Sequence, residues 1–302
     1  DVAAKALRDG LEAYDRDQGV WHGARASLEP ELLSGETSWR AALAETPFPR
    51  DIDGWEVAVV LGFDGADALI GVENRESTPA DRIPASDINW TRADRLDALV
   101  ARGDIVHVAP RLDVDGVLQS WSLRQIPEVQ GAFMAMDVET GRVLAMQGGF
   151  SYQDTSFNRA TQAMRQPGST FKTFVYTTAI AAGFSPYKSY ADAKFIVDGY
   201  EPENYGGNYS GNVSMRQALT SSINIVAVKV LIDVGFEPVI NMAQRMGIES
   251  ELLPTYSLAL GASEVTLLEL TSAYGTLARQ GRHHPVHGIR RVLDSSGNVL
   301  YE

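Results

Sequence analysis

Apolar positions follow two kinds of spacing along this 302-residue chain, and the change of spacing separates a strand-rich part from a helix-rich part. Residues 1–20 have the spacing of a helix that breaks at Gly19, and residues 21–53 are mixed and contain three prolines. The next residues alternate as short strands around Asp-Gly turns, with one helical pattern at 91–102. The strands are predicted at 55–61, 68–73, 105–108 and 117–123. Several short strands with one helix predict a small β-barrel of the OB-like kind.

The second part opens with a predicted hairpin and continues with helices. The hairpin joins residues 132–137 to 142–146 through a glycine-containing turn. Helical spacing then predicts helices at 169–182, 215–219, 223–234, 238–246 and 266–278. A capping box, Thr266 with Glu269, is predicted to start the last helix. A final hairpin is predicted around residues 296–298. Strands, then helices, then strands predict an α+β domain with helices beside a sheet.

Charge is distributed unevenly between these two parts. The net charge is −13, and residues 1–129 hold 24 acidic and 13 basic residues, whereas residues 130–302 hold 15 and 13. This change in net charge between the two parts predicts a domain boundary near 125–130. A pI near 4.9 argues against nucleic-acid binding, which needs clustered basic residues, so a spacer or partner-docking role is expected of the OB-like region. The chain has no cysteine, and no apolar run of about 18 residues predicts a membrane span.

A Ser-x-x-Lys pattern is the first candidate for chemistry, because residues three apart share a helix face and a buried, neutral lysine can act as a base on the hydroxyl. It occurs at Ser169–Lys172 and at Ser185–Lys188. Ser185 precedes a proline and is typical of a turn or of a helix N-cap with proline at the next position. Ser169 follows Pro-Gly and is predicted at a helix N-terminus, where backbone amides stabilise a developing anion. The alternative for the first pair is an ordinary helix start with an exposed lysine.

Ser-x-Asn occurs four times and is a weaker pattern, beginning at residues 156, 210, 222 and 296. Ser222 and Asn224 lie between two predicted helices, where a hydroxyl and an amide can face a cleft. The alternative is that Ser222 only caps the second helix. The other three are predicted in loops and turns, including 210–212 and 296–298.

No metal or cofactor site is predicted. His283, His284 and His287 surround a proline and are expected in a loop rather than in a ligand cluster. The chain contains no glycine-rich phosphate loop and no Gly-x-Ser-x-Gly elbow.

Taken in order, several segments resemble class A penicillin-binding proteins. These segments are residues 131–146, 162–172 (with Ser169-Thr170-Phe171-Lys172), 202–205, 216–219, 221–224 and 257–266. The resemblance implies an α+β serine transpeptidase/β-lactamase-like domain preceded by a small OB-like β-barrel. It further implies a division into the end of a glycosyltransferase domain at 1–23, an OB-like linker domain at 24–129 and a transpeptidase domain at 130–302.

The activity that the resemblance implies is D,D-transpeptidation of peptidoglycan. Ser169 would attack the D-Ala-D-Ala carbonyl of a stem peptide, with Lys172 as its base. Ser222 would pass a proton to the leaving amine, and Asn224 would hydrogen-bond Lys172 and the substrate amide. The N–H of Ser169 would form half of an oxyanion hole, and no cofactor would be needed.

The same resemblance implies the partners and the location. The expected ligands are the stem peptide and β-lactam antibiotics, and the expected protein partners are other cell-wall synthesis proteins. The location would be the periplasmic face of the bacterial inner membrane, reached through an N-terminal anchor outside these residues. The parent protein would also be a glycosyltransferase.

One expected motif is absent from the sequence. The family's Lys/His-Thr/Ser-Gly tripeptide, which grips the substrate carboxylate and supplies the second oxyanion N–H, occurs nowhere in residues 1–302. The chain is therefore expected to stop before that strand and to acylate slowly by itself.

Two alternatives of different kinds stay open at this point. One is a related acyl-serine protein with another task, namely a D,D-carboxypeptidase, a β-lactamase or a penicillin sensor, which the lifetime of the acyl-enzyme would separate from a transpeptidase. The other is a non-catalytic scaffold that docks wall-synthesis proteins and never reacts with penicillin.

Overall fold

The computed structural model describes residues 2–301, whose contacts divide them into two compact units. The first unit contains residues 2–133 and 147–157, and the second contains 134–146 and 158–301. The segment 147–157 follows the predicted boundary near residue 130, yet it packs within the first unit. Phe150 is fully buried there, in a cluster with Ile52 and Ile126.

The described part of the first unit is built around an antiparallel sheet. Its elements are α1 (Val2–Asp17), β1 (Ala26–Ser27), α2 (Glu36–Glu45), β2 (Glu56–Asp64), β3 (Asp67–Val72), β4 (Arg82–Ile83), β5 (Asp104–Leu112) and β6 (Leu118–Arg124). The strands are ordered β1-β5-β2-β3-β4, and β6 pairs with β5. Every pairing between these strands is antiparallel, as the alternating segments predict.

Strand β2 is buried on both faces, because helix α2 covers the side of the sheet opposite the larger core. Val57 and Val59 pack in a cluster with Trp39 of α2, whereas Val60 belongs to the cluster of the other face. The Trp39 ring lies so close to Gly71 that a Cβ there would come within 2.6 Å of it. The sequence did not predict α2, since prolines on either side hide a helix of only ten residues.

The helix predicted at 91–102 is wrong. The chain forms two short 3₁₀ segments instead, at Ala85–Thr91 and Leu96–Ala98. Arg92 between them has φ +65°, a left-handed conformation that ends helical continuation. The apolar spacing reflected burial of Leu96 and Val100 from turns rather than from one helix face.

The second unit combines short hairpins with a helical core. Its described elements are β7 (Phe133–Met136), β8 (Val143–Gln147), α3 (Lys172–Ala181), β9 (Ser189–Asp192), β10 (Gly211–Ser214), α4 (Met215–Thr220), α5 (Asn224–Val234), α6 (Phe236–Met246), α7 (Leu267–Ala278), β11 (Val292–Leu293) and β12 (Val299–Tyr301). The strands pair as three two-stranded ribbons, β7–β8, β9–β10 and β11–β12, and the last two are antiparallel. The β9–β10 ribbon was not predicted, and the turn predicted at 210–212 is wrong because β10 begins at Gly211.

Helix α5 is apolar around nearly its whole circumference and is the centre of this unit. Its residues Ile225 to Val228 and Val230 to Leu231 are fully buried, as so wide an apolar surface requires. Helix α3 packs beside it in the same core through Phe174 and Val175. This packing places the N-terminal ends of α3 and α5, which carry Lys172 and Asn224, in one neighbourhood.

The start of α7 confirms the predicted capping box. The hydroxyl of Thr266 accepts from the backbone N–H of Glu269, and the Glu269 carboxylate accepts from the backbone N–H of Thr266. Among residues 2–301, no helix combines the length and the apolar character that a bilayer crossing requires.

Candidate active site

Lys172 is the first residue of α3 and is buried to 1% exposure, although lysine is a side chain that proteins almost never bury without partners. Its Nζ donates to the carbonyl of Ser222 at 2.6 Å, to the hydroxyl of Ser222 at 3.0 Å and to Oδ1 of Asn224 at 2.6 Å. An ammonium has three N–H donors, so these three acceptors account for all of them. The structure thus joins three of the four residues that the sequence singled out.

Burial lowers the pKa of Lys172 from 10.5 to about 8. The three acceptors are all neutral, so no carboxylate among them offsets the loss of water around the charge. At pH 7 about one such lysine in ten is then a neutral amine. A neutral amine carries a lone pair, and a general base works best when its pKa lies near the working pH.

Ser222 reaches Lys172 because it occupies a left-handed turn. Helix α4 ends in a pair of backbone bonds typical of a Schellman motif, from Ser222 N to Leu219 O and from Ile223 N to Ala218 O, at 3.0 and 2.9 Å. Ser222 therefore has φ +53°, at a position where glycine is usual. The strained turn points both its carbonyl and its hydroxyl at one amine. Such strain at a non-glycine residue is a common feature of functional sites.

Ser169 lies in a 3₁₀ turn, Gly168–Phe171, that leads directly into α3. Its carbonyl accepts from the N–H of Lys172, and the side chain is exposed. Its backbone N–H is among the first amides of this helical segment, which have no partner within the helix. The structure therefore places the candidate nucleophile in reach of solvent, one turn before a buried amine.

Two residues that the sequence did not single out support this turn. The carbonyl of Gly261 accepts from Gly168 N at 3.3 Å, and Gly261 itself has φ +71°. The hydroxyl of Tyr274 donates to the carbonyl of Thr170 at 2.8 Å. Gly261 lies in the block 257–266 that carries the resemblance, but nothing in the sequence assigns it a contact.

We expect Gly261→Ala to disturb the turn that holds Ser169. A Cβ at this position would lie 2.6 Å from Gly168 N and closer still to its carbonyl oxygen, and neither backbone atom can rotate away. The variant should lose about 1–3 kcal/mol of stability through backbone strain, and the rate at which a covalent acylating probe labels Ser169 should fall by about 10²-fold through displacement of the nucleophile. Thermal unfolding and labelling rates measure the two effects.

Gly183→Ala is the matched control for that substitution. Gly183 also has positive φ, +86°, but a Cβ there would meet nothing within 4 Å. It should lose stability without losing reactivity. Equal labelling rates for the two alanine variants would contradict the role given to Gly261.

Ser185 and Lys188, the second Ser-x-x-Lys pair, lie in a turn, as predicted. Lys188 pairs with Asp233 at 2.6 Å, and this hydrogen bond raises its pKa, opposite to what a base needs. The hydroxyl of Ser185 accepts from Tyr187 N. The hydrogen bonds of Lys172 Nζ go to Ser222 and Asn224, and not to the Ser-x-Asn patterns that begin at residues 156, 210 and 296.

Within residues 2–301 no group of three or more His, Asp or Glu side chains is placed to hold a metal.

Two family models match most of the chain. Residues 131–299 match the model described as the penicillin binding protein transpeptidase domain, and residues 21–129 match the model described as the penicillin-binding protein OB-like domain.

Curated and solved relatives agree with these matches. The chain is 35% identical over 308 residues to penicillin-binding protein 1A of Rickettsia typhi, covering 99% of this chain and 37% of the relative. It is 37% identical over 211 residues to penicillin-binding protein 1A of Neisseria flavescens, covering 67% and 26%. The crystal structure of penicillin-binding protein 1A from Haemophilus influenzae superposes with a TM-score of 0.82 at 26% identity, over 99% of this chain and 43% of that one. The chain thus spans less than half the length of these relatives.

Proposed function

The chain belongs to the penicillin-binding protein transpeptidase family, as its sequence predicts, and we propose that it carries a serine D,D-transpeptidase site that cross-links peptidoglycan stem peptides. The observation that supports this proposal best is the burial of Lys172 against Ser222 and Asn224, one turn after an exposed Ser169. This arrangement offers a nucleophile one helical turn from a base of suitable pKa, with a second hydroxyl beside that base.

In the acylation step, the hydroxyl of Ser169 attacks the carbonyl of the penultimate D-alanine. Neutral Lys172 takes the hydroxyl proton as the Oγ–C bond forms, and the negative charge moves to the carbonyl oxygen. The backbone N–H of Ser169 stabilises that oxyanion. Collapse of the tetrahedral intermediate breaks the peptide bond and leaves an acyl-serine.

The leaving D-alanine amine needs a proton as the peptide bond breaks. Ser222 can supply it, because its hydroxyl lies 3.0 Å from the lysine that has just become an ammonium. The lysine then returns a proton to Ser222. In the second step the amine of another stem peptide attacks the acyl-serine, and the same groups act in reverse to release Ser169.

Asn224 holds the lysine and is proposed to bind the substrate amide. Its Oδ1 accepts from Lys172 Nζ, while its Nδ2 donates to the carbonyl of Glu203 at 2.9 Å. A β-lactam would acylate Ser169 in the same way as the stem peptide. No cofactor takes part in this scheme.

The wider setting follows from family membership and is part of the same proposal. We place the protein at the periplasmic face of the bacterial inner membrane, among other cell-wall synthesis proteins. We assign residues 1–23 to the end of a glycosyltransferase domain, 24–129 to an OB-like domain and 130–302 to the transpeptidase domain.

The test is to find the labelled residue. The intact gene product is incubated with a β-lactam and digested with trypsin, and the adduct is located by mass spectrometry. We expect the adduct on the peptide of residues 166–172, which contains Ser169. An adduct on the peptide that contains Ser185, or none at all, would overturn the proposal. A long-lived adduct favours a transpeptidase over a β-lactamase, which hydrolyses it.

A further inference from the structure

Asp192 and Asn204 form a hydrogen-bonded connection to the candidate active site that the scheme above does not use. We infer that Asn204 is a positioning residue, which orients Asn224 and through it Lys172, and that Asp192 holds Asn204 in place. This inference rests on the proposed function, since it concerns the same lysine.

The side-chain amide of Asn204 uses its full hydrogen-bonding capacity. Its Nδ2 donates to Asp192 Oδ1 at 2.7 Å and to the carbonyl of Asn208 at 3.0 Å. Its Oδ1 accepts from the backbone N–H groups of Asn224 and Ile225 at 3.1 and 3.2 Å. If the Asn204 amide were flipped, its NH2 group would face the two backbone N–H donors and its oxygen would face the two acceptors. These four partners therefore permit only one orientation of the amide.

The N-terminus of α5 depends on this contact. Ile223 occupies the N-cap position and has no side chain that can cap the helix. Asn204 takes over that function from a distant loop, by accepting from the first two amides of α5. It therefore fixes the backbone of Asn224, the residue at which α5 begins.

The side chain of Asn224 is oriented from the same loop. Its Nδ2 donates to the carbonyl of Glu203, the neighbour of Asn204, and this leaves Oδ1 directed at Lys172 Nζ at 2.6 Å. Both the backbone and the amide plane of Asn224 are thus set by two consecutive loop residues.

Asp192 closes the loop that carries these residues. It is the last residue of β9, is 1% exposed, and its two oxygens accept from Asn204 Nδ2 and from Ser210 N, each at 2.7 Å. Asp192 is also paired in register with Gly211, the first residue of β10. One carboxylate therefore holds both the middle and the end of the loop.

An exchange of the two side chains tests the connection. Asn204→Asp should place a carboxylate against Asp192 and lower the rate of acylation by penicillin about 10- to 100-fold, through misplacement of Lys172. Asp192→Asn should also lower it, since the NH2 group that replaces one carboxylate oxygen would face one of the two N–H donors, Asn204 Nδ2 or Ser210 N. The double variant D192N/N204D restores a donor facing an acceptor between positions 192 and 204, while the carboxylate at 204 still faces the carbonyl of Asn208. It should therefore recover part of the lost rate and be acylated faster than either single variant. Asn212→Asp adds the same charge at an exposed position of β10, so it serves as a control and should leave the rate unchanged.

A purely structural role would lower the folded fraction but would not move the pH profile of the folded protein. Asn204→Ala adds no charge near Lys172, so a change in its pH profile reports the positioning role and not a new electrostatic interaction. With Asn224 turned away, the Lys172 ammonium loses one acceptor, and this lowers the pKa of Lys172 further. The midpoint of the profile, which is the pH at which the acylation rate is half-maximal, should therefore be lower than in wild type. An unchanged midpoint, or a double variant no faster than the single ones, would overturn the inference.

A crystal structure of the Asn204→Ala variant decides the matter without activity. We expect Asn224 Oδ1 to leave hydrogen-bond distance of Lys172 Nζ. If that contact persists, the inference is wrong even where the proposed function holds. If wild type is never acylated at Ser169, the proposed function fails, and this structure still decides whether Asn204 orients Asn224.

Discussion

Ser169→Ala is expected to abolish covalent labelling of the intact gene product by a β-lactam. No acyl bond can form without the hydroxyl, and the neighbouring Thr170 does not share the spacing to Lys172 that places a hydroxyl one turn before the amine. Stability should stay close to that of wild type, because the serine side chain is exposed. Intact-mass spectrometry after incubation with penicillin measures the acylated fraction.

The second Ser-x-x-Lys pair provides the matched control. Ser185→Ala removes the same group from a turn whose lysine is paired with Asp233. It should be acylated as fast as wild type. Labelling that survives Ser169→Ala, or that is lost in Ser185→Ala, would remove the central residue of the proposed mechanism.

Lys172→Ala is expected to slow acylation by about 10²-fold or more, which is the usual contribution of a general base. The variant also removes the donor that the carbonyl of Ser222 and Oδ1 of Asn224 accept from, and a hydrogen bond to a charged group contributes about 1.5–3 kcal/mol to stability. We therefore expect lower stability as well as lower reactivity. The first-order rate of acylation at saturating penicillin, compared on fully folded samples, separates the two effects.

The pH dependence of wild type provides a second test of the same lysine. The reactive form is the neutral amine, so the acylation rate should rise with pH and level off above about 8, the pKa to which burial lowers Lys172. Lys188→Ala, which removes a lysine whose pKa is raised by Asp233, should leave this profile unchanged. A rate independent of pH between 6 and 9 would contradict the assignment of Lys172 as the base.

Local sequence patterns predicted most of the elements that depend on neighbouring residues alone. The capping box at Thr266 and Glu269 and the antiparallel strands around Asp-Gly turns are of this kind. The failures have a common cause in packing over long distances. Helix α2 is stabilised by Trp39 against Gly71, and the false helix at 91–102 took its apolar spacing from separate buried turns.

The candidate site shows the same division. Ser169 and Lys172 were found because a three-residue interval on a helix needs no tertiary information. Ser222 and Asn224 were chosen from four equivalent patterns by their place between two helices and by resemblance, and the contact with Lys172 was not visible in the sequence.

What the sequence by itself determined is the family, the order of the two folds and the residue types available for chemistry, because these follow from local spacing and from the order of motifs. Only the tertiary structure decided the chemical state of those residues. The pKa of Lys172 depends on its burial against Ser222 and Asn224, and the turn at Ser169 depends on Gly261. Asn224 takes its orientation from Asn204, twenty residues earlier. Desolvation and hydrogen-bond geometry are set by groups far apart in the chain, and no local pattern records them.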